Sequence, residues 1–113
     1  MSDPRRPDVP SIPPAELTDD IVLLDVRRQE EWDAGHAPGA LHIPSDDIPA
    51  KLDELPRDRD VVLVCHGGGR SSRTTDWLLK QGYECRNLAG GMVAYAEAGL
   101  PLVSETGEPP AVD

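Results

Sequence analysis

The sequence contains few of the cysteines and histidines that would stabilise a protein through disulfides or a bound metal. Of its 113 residues two are cysteines, Cys65 and Cys85, and none is phenylalanine. This scarcity excludes a disulfide scaffold and favours a reducing cytoplasm, and three scattered histidines add too little for a structural zinc site. We expect one domain without a bound metal, with a modest core of valine, leucine and alanine.

Basic residues and long apolar runs are also scarce. The chain has 11 lysines and arginines against 21 acidic residues, which gives a formal net charge of -10. Such a surface repels phosphate groups, so we expect neither nucleic acid nor an anionic membrane as a partner. No stretch approaches the roughly 20 apolar residues of a membrane helix, and the N-terminus lacks the apolar part of a secretory signal. A cytoplasmic protein without membrane association is therefore expected.

Short apolar runs alternate with helical patterns along the middle of the chain. Residues 21–26 and 61–65 are apolar without alternation, as expected of strands buried on both faces. Strands alternating with helices predict an α/β domain with a mainly parallel sheet. Weaker strands are predicted at 40–43 and 83–88, and helices at 28–34, 45–55, 70–81 and 91–98. Composition places the domain at 11–101, between flexible tails at 1–10 and 102–113, the second of them acidic.

Cys65 ends the second apolar run, and a glycine-rich loop, CHGGGRSSR, connects it to the next helix. Glycines at 67–69 allow successive backbone N–H groups to converge on one point. Those groups, the helix N-terminus, Arg70 and Arg73 all favour a negatively charged thiolate, as would His66 if protonated. We therefore interpret Cys65 as a nucleophile. The alternatives are a small buried side chain before a plain turn, and a nucleotide-phosphate loop, which the missing Walker lysine disfavours.

Three blocks of the chain resemble, in order, the motifs of the rhodanese homology domain. They are LLDVRRQEEWDAGHAPGALHIP at 23–44, VLVCHGGGRSS at 62–72 and NLAGGMVAYAEAGLP at 87–101. The resemblance implies a three-layer α/β/α domain whose mainly parallel sheet has five strands, with Cys65 at the base of a cradle-shaped loop. It also implies a sulfurtransferase that holds a sulfane sulfur as a Cys65 persulfide and needs no cofactor. The donor would be thiosulfate, a polysulfide or a similar molecule, and the acceptor cyanide or the thiol of glutathione, thioredoxin or another protein.

Roles for the neighbouring residues follow from the same resemblance. Asp25 and Arg27 end a strand on the side of the sheet where ligands bind. We expect Arg27 to form a structural ion pair with Glu30 or Glu31, and Asp25 to hydrogen-bond backbone near the loop. Arg70 would bind the anionic end of the donor. The residues implied to form the substrate-binding cradle are His66, Gly67, Gly68, Gly69, Arg70 and Ser71.

The remaining histidines and the second cysteine are given structural roles. His36 and His42 are interpreted as buried or rim side chains that are satisfied by backbone groups. Cys85 is predicted to be a buried, inert thiol. Its alternative role is to resolve an oxidised Cys65, which requires the two Cα atoms to lie within about 7 Å.

Two other functions stay open alongside sulfur transfer. One is a binding or adaptor module that uses the same fold without catalysis, which loss of the cysteine would have favoured. The other is a phosphatase or arsenate reductase. In the members of the resembled family that have those activities, the loop from the cysteine to the arginine is one residue longer than the span from Cys65 to Arg70. A longer loop widens the ring of amides, so the short form favours sulfur. The protein is expected to act as a monomer.

Overall fold

Five parallel strands form the centre of the structure, a computed structural model that describes residues 8–112. The strands are β1 (Ser11–Ile12), β2 (Ile21–Asp25), β3 (Leu41–His42), β4 (Asp60–Val64) and β5 (Arg86–Leu88). Their order across the sheet is β1-β5-β4-β2-β3, and the β2–β4 pairing is the longest. The predicted parallel sheet is confirmed. The sequence does not predict β1, because two residues are too few to show a periodic pattern.

Helices connect the strands on both faces of the sheet. The α-helices are α1 (Gln29–Ala34), α2 (Gly69–Lys80) and α3 (Gly91–Glu97), and each agrees with its predicted span to within one residue at either end. The helix predicted at 45–55 is instead a 3-10 helix, Ser45–Glu54, that is interrupted at Lys51. Pro49 inside it has no N–H to donate, which disfavours a continuous α-helix. No helix in the part of the chain that the structure describes is both long and apolar enough to cross a membrane.

Side chains on the two faces of the sheet form two hydrophobic clusters. Val61 and Leu63 of β4 join Leu78 of α2 in one cluster, whereas Val62, between them in sequence, joins Met92 of α3 in the other. All five of these side chains are almost fully buried. Alternate residues of one strand thus enter opposite layers, which explains why this run is apolar throughout. The predicted three-layer α/β/α domain is confirmed.

The C-terminal segment lies along α1. His36 and Val103 exchange two backbone hydrogen bonds of 2.9 Å, and the N–H of Ala111 donates to the carbonyl of Ala34 at 2.9 Å. Composition predicts a flexible tail at 102–113. Within it, Val103, Glu105 and Ala111 form backbone hydrogen bonds, which do not depend on side-chain composition. The parts of the predicted tails at residues 1–7 and 113 lie outside the described residues.

Candidate active site

Cys65 follows directly after β4, and its sulfur lies beneath the loop that leads into α2. The residue is 1% exposed. The backbone N–H of Gly68 donates to its Sγ at 3.1 Å, and the Oγ of Ser71 lies 3.2 Å from the same sulfur. Gly68 is the residue before α2 and has φ of 104°, a left-handed conformation that favours glycine. The loop therefore directs an amide, a hydroxyl and the first turn of a helix at one sulfur atom.

Ser71 links the sulfur to Asn87, a residue that the sequence analysis does not single out. Its Oγ lies 2.6 Å from Oδ1 of Asn87 and 3.3 Å from the carbonyl of Gly68, in addition to its contact with Cys65. A hydroxyl has one hydrogen, so it donates to one of these three acceptors at a time. Asn87 is buried on β5, next to β4, and only that strand order brings it to the site.

The N-terminus of α3 holds the loop in place from the other side. The N–H of Met92 donates to the carbonyl of Cys65 at 2.8 Å, and that of Val93 to the carbonyl of His66 at 3.1 Å. The preceding residue, Gly91, has φ of 59°, and a Cβ atom there would lie 2.5 Å from both carbonyl oxygens. The close approach of helix and loop thus depends on glycine at position 91.

Arg70 lies in the first turn of α2 and forms a two-point ion pair with Glu31 of α1. Its two terminal nitrogens donate to the two carboxylate oxygens at 2.8 and 2.9 Å. Glu31 also accepts the backbone N–H of Arg28 at 3.0 Å, which caps α1. The Arg70 hydrogen bonds lower the pKa of Glu31 from its ordinary value of 4.5 to about 2, and the same pair raises the pKa of Arg70. The sequence analysis considers Glu31 only as a partner of Arg27.

The lowered pKa of Glu31 predicts a loss of stability in acid. Between about pH 4.5 and pH 2 the unfolded chain binds a proton at this carboxyl that the folded chain does not, so the stabilisation is present above that window and lost as the pH falls through it. Urea unfolding of the protein and of Glu31→Gln should therefore differ by on the order of 2 kcal/mol near pH 6, and much less near pH 2. A difference that stayed constant over this range would contradict the assignment.

Asp25 and Arg27 form a buried ion pair with each other. Both side chains are 1% exposed, and Nη2 of Arg27 lies 2.7 Å from Oδ2 of Asp25. Arg27 also donates to the carbonyl of Gly35 at 2.7 Å. The predicted pairing of Arg27 with Glu30 or Glu31 is therefore wrong. A buried charge needs a partner that is buried with it, and Glu30 lies at the surface while Glu31 is occupied by Arg70.

Asp25 accepts a backbone hydrogen bond, as predicted, but the donor does not belong to the Cys65 loop. Its Oδ1 accepts the N–H of Arg27 at 3.1 Å, not an N–H of the Cys65 loop. The adjacent residue, Val26, donates its N–H to the carbonyl of Val64 at 3.0 Å. Val64 immediately precedes Cys65, so the buried pair stabilises the end of β2 beside the end of β4.

The two histidines outside the loop have the structural environments predicted for them. Nδ1 of His36 is 3.0 Å from the carbonyl of Ala37, and Nε2 of His42 is 2.8 Å from the carbonyl of Arg27. Both rings stack on Trp32, with centroid separations of 3.5 and 4.7 Å. The second nitrogen of His36 contacts Glu105 at 2.7 Å, which fixes the C-terminal segment at a further point.

Cys85 is buried and free, and burial raises the pKa of its thiol to about 11. The prediction that it is a buried thiol is confirmed. Its high pKa keeps it a neutral thiol at physiological pH, and the neutral form is a poor nucleophile and a poor metal ligand. Among residues 8–112 no three histidine, cysteine or acidic side chains are grouped so that they could hold a metal ion.

Two clefts meet beside the Cys65 loop and share Arg28 and Arg70 in their walls. The mouth cleft, of about 400 Å³, is lined by Arg28, Glu30, Glu31, His66 and Arg70. A second cleft, of about 490 Å³, extends along α2 toward the 3-10 helix and includes the apolar side chains of Ile48 and Trp77. A polar cleft and a partly apolar cleft thus lie next to the loop.

Comparisons with known proteins agree with this geometry. The family model for the rhodanese-like domain matches residues 14–98. A protein of Allochromatium vinosum named sulfurtransferase is 43% identical over 91 residues, which cover 80% of this chain and 85% of the relative. The crystal structure of a rhodanese-related protein from Thermoplasma volcanium superimposes with a TM-score of 0.79 at 29% identity, covering 83% of this chain and 97% of the other. A rhodanese-like domain protein from Staphylococcus aureus gives 0.72 at 30% identity, covering 90% and 98%.

Proposed function

Because the chain belongs to the rhodanese-like domain family and has relatives named sulfurtransferase, we propose that it transfers a sulfane sulfur through a persulfide on Cys65. The observation that supports this most directly is the position of Sγ, which receives an amide N–H and a serine hydroxyl at the base of the loop. Glycines at 67–69 leave the space above the sulfur without bulky side chains. A second sulfur atom with a negative charge suits such a ring of donors.

The proposed reaction has two halves that use the same sulfur atom. In the first half, the Cys65 thiolate attacks the outer sulfur of the donor. The new S–S bond forms as the donor bond breaks, and the leaving group takes the electron pair, departing as sulfite if the donor is thiosulfate. In the second half, an acceptor thiolate attacks the outer sulfur, and Cys65 leaves as a thiolate. The oxidation level moves with the sulfur, so neither half needs an additional oxidant or reductant.

The residues around Cys65 are assigned parts in this cycle. His66, Gly67, Gly68, Gly69 and Ser71 form the cradle for the transferred sulfur, and Arg70 forms part of the entrance. Asp25 and Arg27 support the strand ends without touching the reacting atoms. The acceptor thiol, on glutathione, thioredoxin or another protein, reaches the persulfide through the two clefts. The reaction is assigned to a monomer in the cytoplasm, where both cysteines stay reduced.

Intact-mass measurement tests this function directly. Incubation with an excess of thiosulfate or polysulfide, followed by removal of the donor, should add one sulfur atom to the protein, and peptide mapping should locate it on Cys65. A reducing thiol should remove it. Cys85→Ala should gain the sulfur to the same extent, because that thiol is buried and protonated. Failure of every sulfane donor to modify the folded protein would reject the proposal.

A further inference from the structure

We infer that Glu31 determines donor specificity: by occupying Arg70 it makes the site favour sulfane donors with one negative charge over dianionic donors such as thiosulfate. This inference rests on the sulfur-transfer function proposed above and concerns the first half of the reaction. Glu31 acts through Arg70, not by contact with the reacting sulfur. The starting point is the ion pair at the entrance to the loop.

The geometry of the pair offsets the positive charge that Arg70 could offer an incoming anion. Both terminal nitrogens of the guanidinium donate to the two oxygens of one carboxylate, at 2.8 and 2.9 Å. This two-point arrangement occupies the edge formed by the two terminal nitrogens, and the carboxylate neutralises the positive charge that would attract a sulfonate or carboxylate. Glu31 is 17% exposed and also held by the Arg28 backbone N–H. Its pKa of about 2 keeps it charged at any physiological pH, so the negative charge beside Arg70 is retained under working conditions.

The formal charges around the mouth cleft cancel. Arg28 and Arg70 are matched by Glu30 and Glu31 within the set of residues that line it, and Arg28 is itself 3.1 Å from Glu30. The three glycines of the loop add no charge, while the whole chain has a net charge of -10. A donor approaching Cys65 thus passes an entrance whose formal charges cancel and meets the backbone dipoles of the loop. The protein as a whole is negatively charged. Each additional negative charge on the donor is then a disadvantage, because the repulsion from the protein grows with donor charge.

Two small donors isolate this effect. Thiosulfate and methanethiosulfonate both have a terminal sulfur bonded to a hexavalent sulfur atom. Where thiosulfate has a third oxygen on the hexavalent sulfur, methanethiosulfonate has a methyl group. With either donor the Cys65 thiolate takes the terminal sulfur and releases the other fragment with the electron pair of the broken S–S bond. Thiosulfate, a dianion, releases sulfite; methanethiosulfonate, a monoanion, releases methanesulfinate. The leaving groups are the same for every variant, so a change between variants in the ratio of kcat/KM for loading Cys65 reports mainly on charge.

The test compares this ratio in the protein, in Glu31→Gln and in matched controls. Glutamine at the third position of a helix preserves the capping arrangement of α1, so the substitution removes charge with little change in shape. The preference for methanethiosulfonate should fall by about five- to tenfold in Glu31→Gln, through faster loading from thiosulfate. Glu31→Asp, which retains the charge, should keep the original preference within about twofold. Asp33→Asn, two residues further along α1, should do the same, because it removes an equal charge that has no contact with Arg70.

Three results separate this inference from the proposed function. Loading by both donors with an unchanged ratio in folded Glu31→Gln would overturn the inference alone, as would equal shifts in Glu31→Gln and Asp33→Asn. Absence of loading by either donor in the unmodified protein would overturn the proposed function and this inference with it. Salt gives a readout that needs no substitution: added salt should raise kcat/KM for thiosulfate relative to methanethiosulfonate, whereas a relative decrease would indicate an unpaired cation at the site and contradict the inference.

Discussion

Replacing Cys65 with serine is expected to lower the rate of sulfur transfer by about four orders of magnitude or more. The serine hydroxyl is not ionised near neutral pH, and the oxygen that replaces Sγ cannot form the disulfide-like bond on which the intermediate depends. The new oxygen still meets the Gly68 N–H and Ser71 hydroxyl in the loop, so the fold should persist. Steady-state formation of thiocyanate from cyanide, or of sulfide from an excess of thiol, measures the rate.

The matched control for this substitution is Cys85→Ala. Cys85 lies in the same hydrophobic cluster as Cys65, but burial holds its thiol in the neutral form. We expect Cys85→Ala to retain turnover within about twofold while losing some stability, since it removes a buried sulfur atom. Retention of more than a tenth of the activity by Cys65→Ser, or an equal loss in Cys85→Ala, would place the chemistry elsewhere.

Gly91→Ala is expected to destabilise the protein by about 4 kcal/mol and to impair sulfur loading at Cys65. A left-handed backbone costs an alanine about 1–2 kcal/mol, and the new Cβ would lie 2.5 Å from the carbonyl oxygens of Cys65 and His66. Relief of that overlap requires α3 and the loop to separate, which breaks the hydrogen bonds that Met92 and Val93 donate. Urea unfolding measures the first effect, and the loading assay the second.

Gly99→Ala separates the steric overlap from the cost of the backbone conformation. Gly99 has φ of 75°, but a Cβ atom there would have no heavy atom within 4 Å. Its substitution should cost about 1 kcal/mol and leave loading unchanged. If both alanine variants unfolded at the same urea concentration, the contact between α3 and the loop would not constrain the nucleophile.

The central strands and the glycine-rich loop can be predicted from the sequence because their signals are local. The run at 61–65 is apolar at every position, since Val61 and Val62 enter opposite layers of the core. Cys65 is proposed as the nucleophile because three glycines follow it at positions 67–69. The 3-10 helix Ser45–Glu54 departs from its predicted α-helix because Pro49 removes a hydrogen bond that hydrophobic spacing does not report.

The partners of the site residues depend on which elements become neighbours in space. Arg70 and Glu31 are 39 positions apart, and Ser71 and Asn87 are 16 apart. These pairs form because β4 lies between β2 and β5, which brings α1 and β5 to either side of the loop. The backbone contacts of the C-terminal segment with α1 are likewise unrelated to its composition. Sequence patterns therefore indicate the candidate nucleophile, and the strand order brings Glu31 and Asn87 to its loop.

The central position of β4 has a consequence for how the molecule opens. Amide hydrogens exchange first where backbone frays, and the two outermost strands, β1 and β3, have two residues each. β4 is hydrogen-bonded on both sides and buried in both layers, so its amides should exchange only when the whole domain unfolds. Cys65, the proposed nucleophile, therefore directly follows the part of the chain that is protected longest, and fluctuations at the rim of the sheet leave its position unchanged.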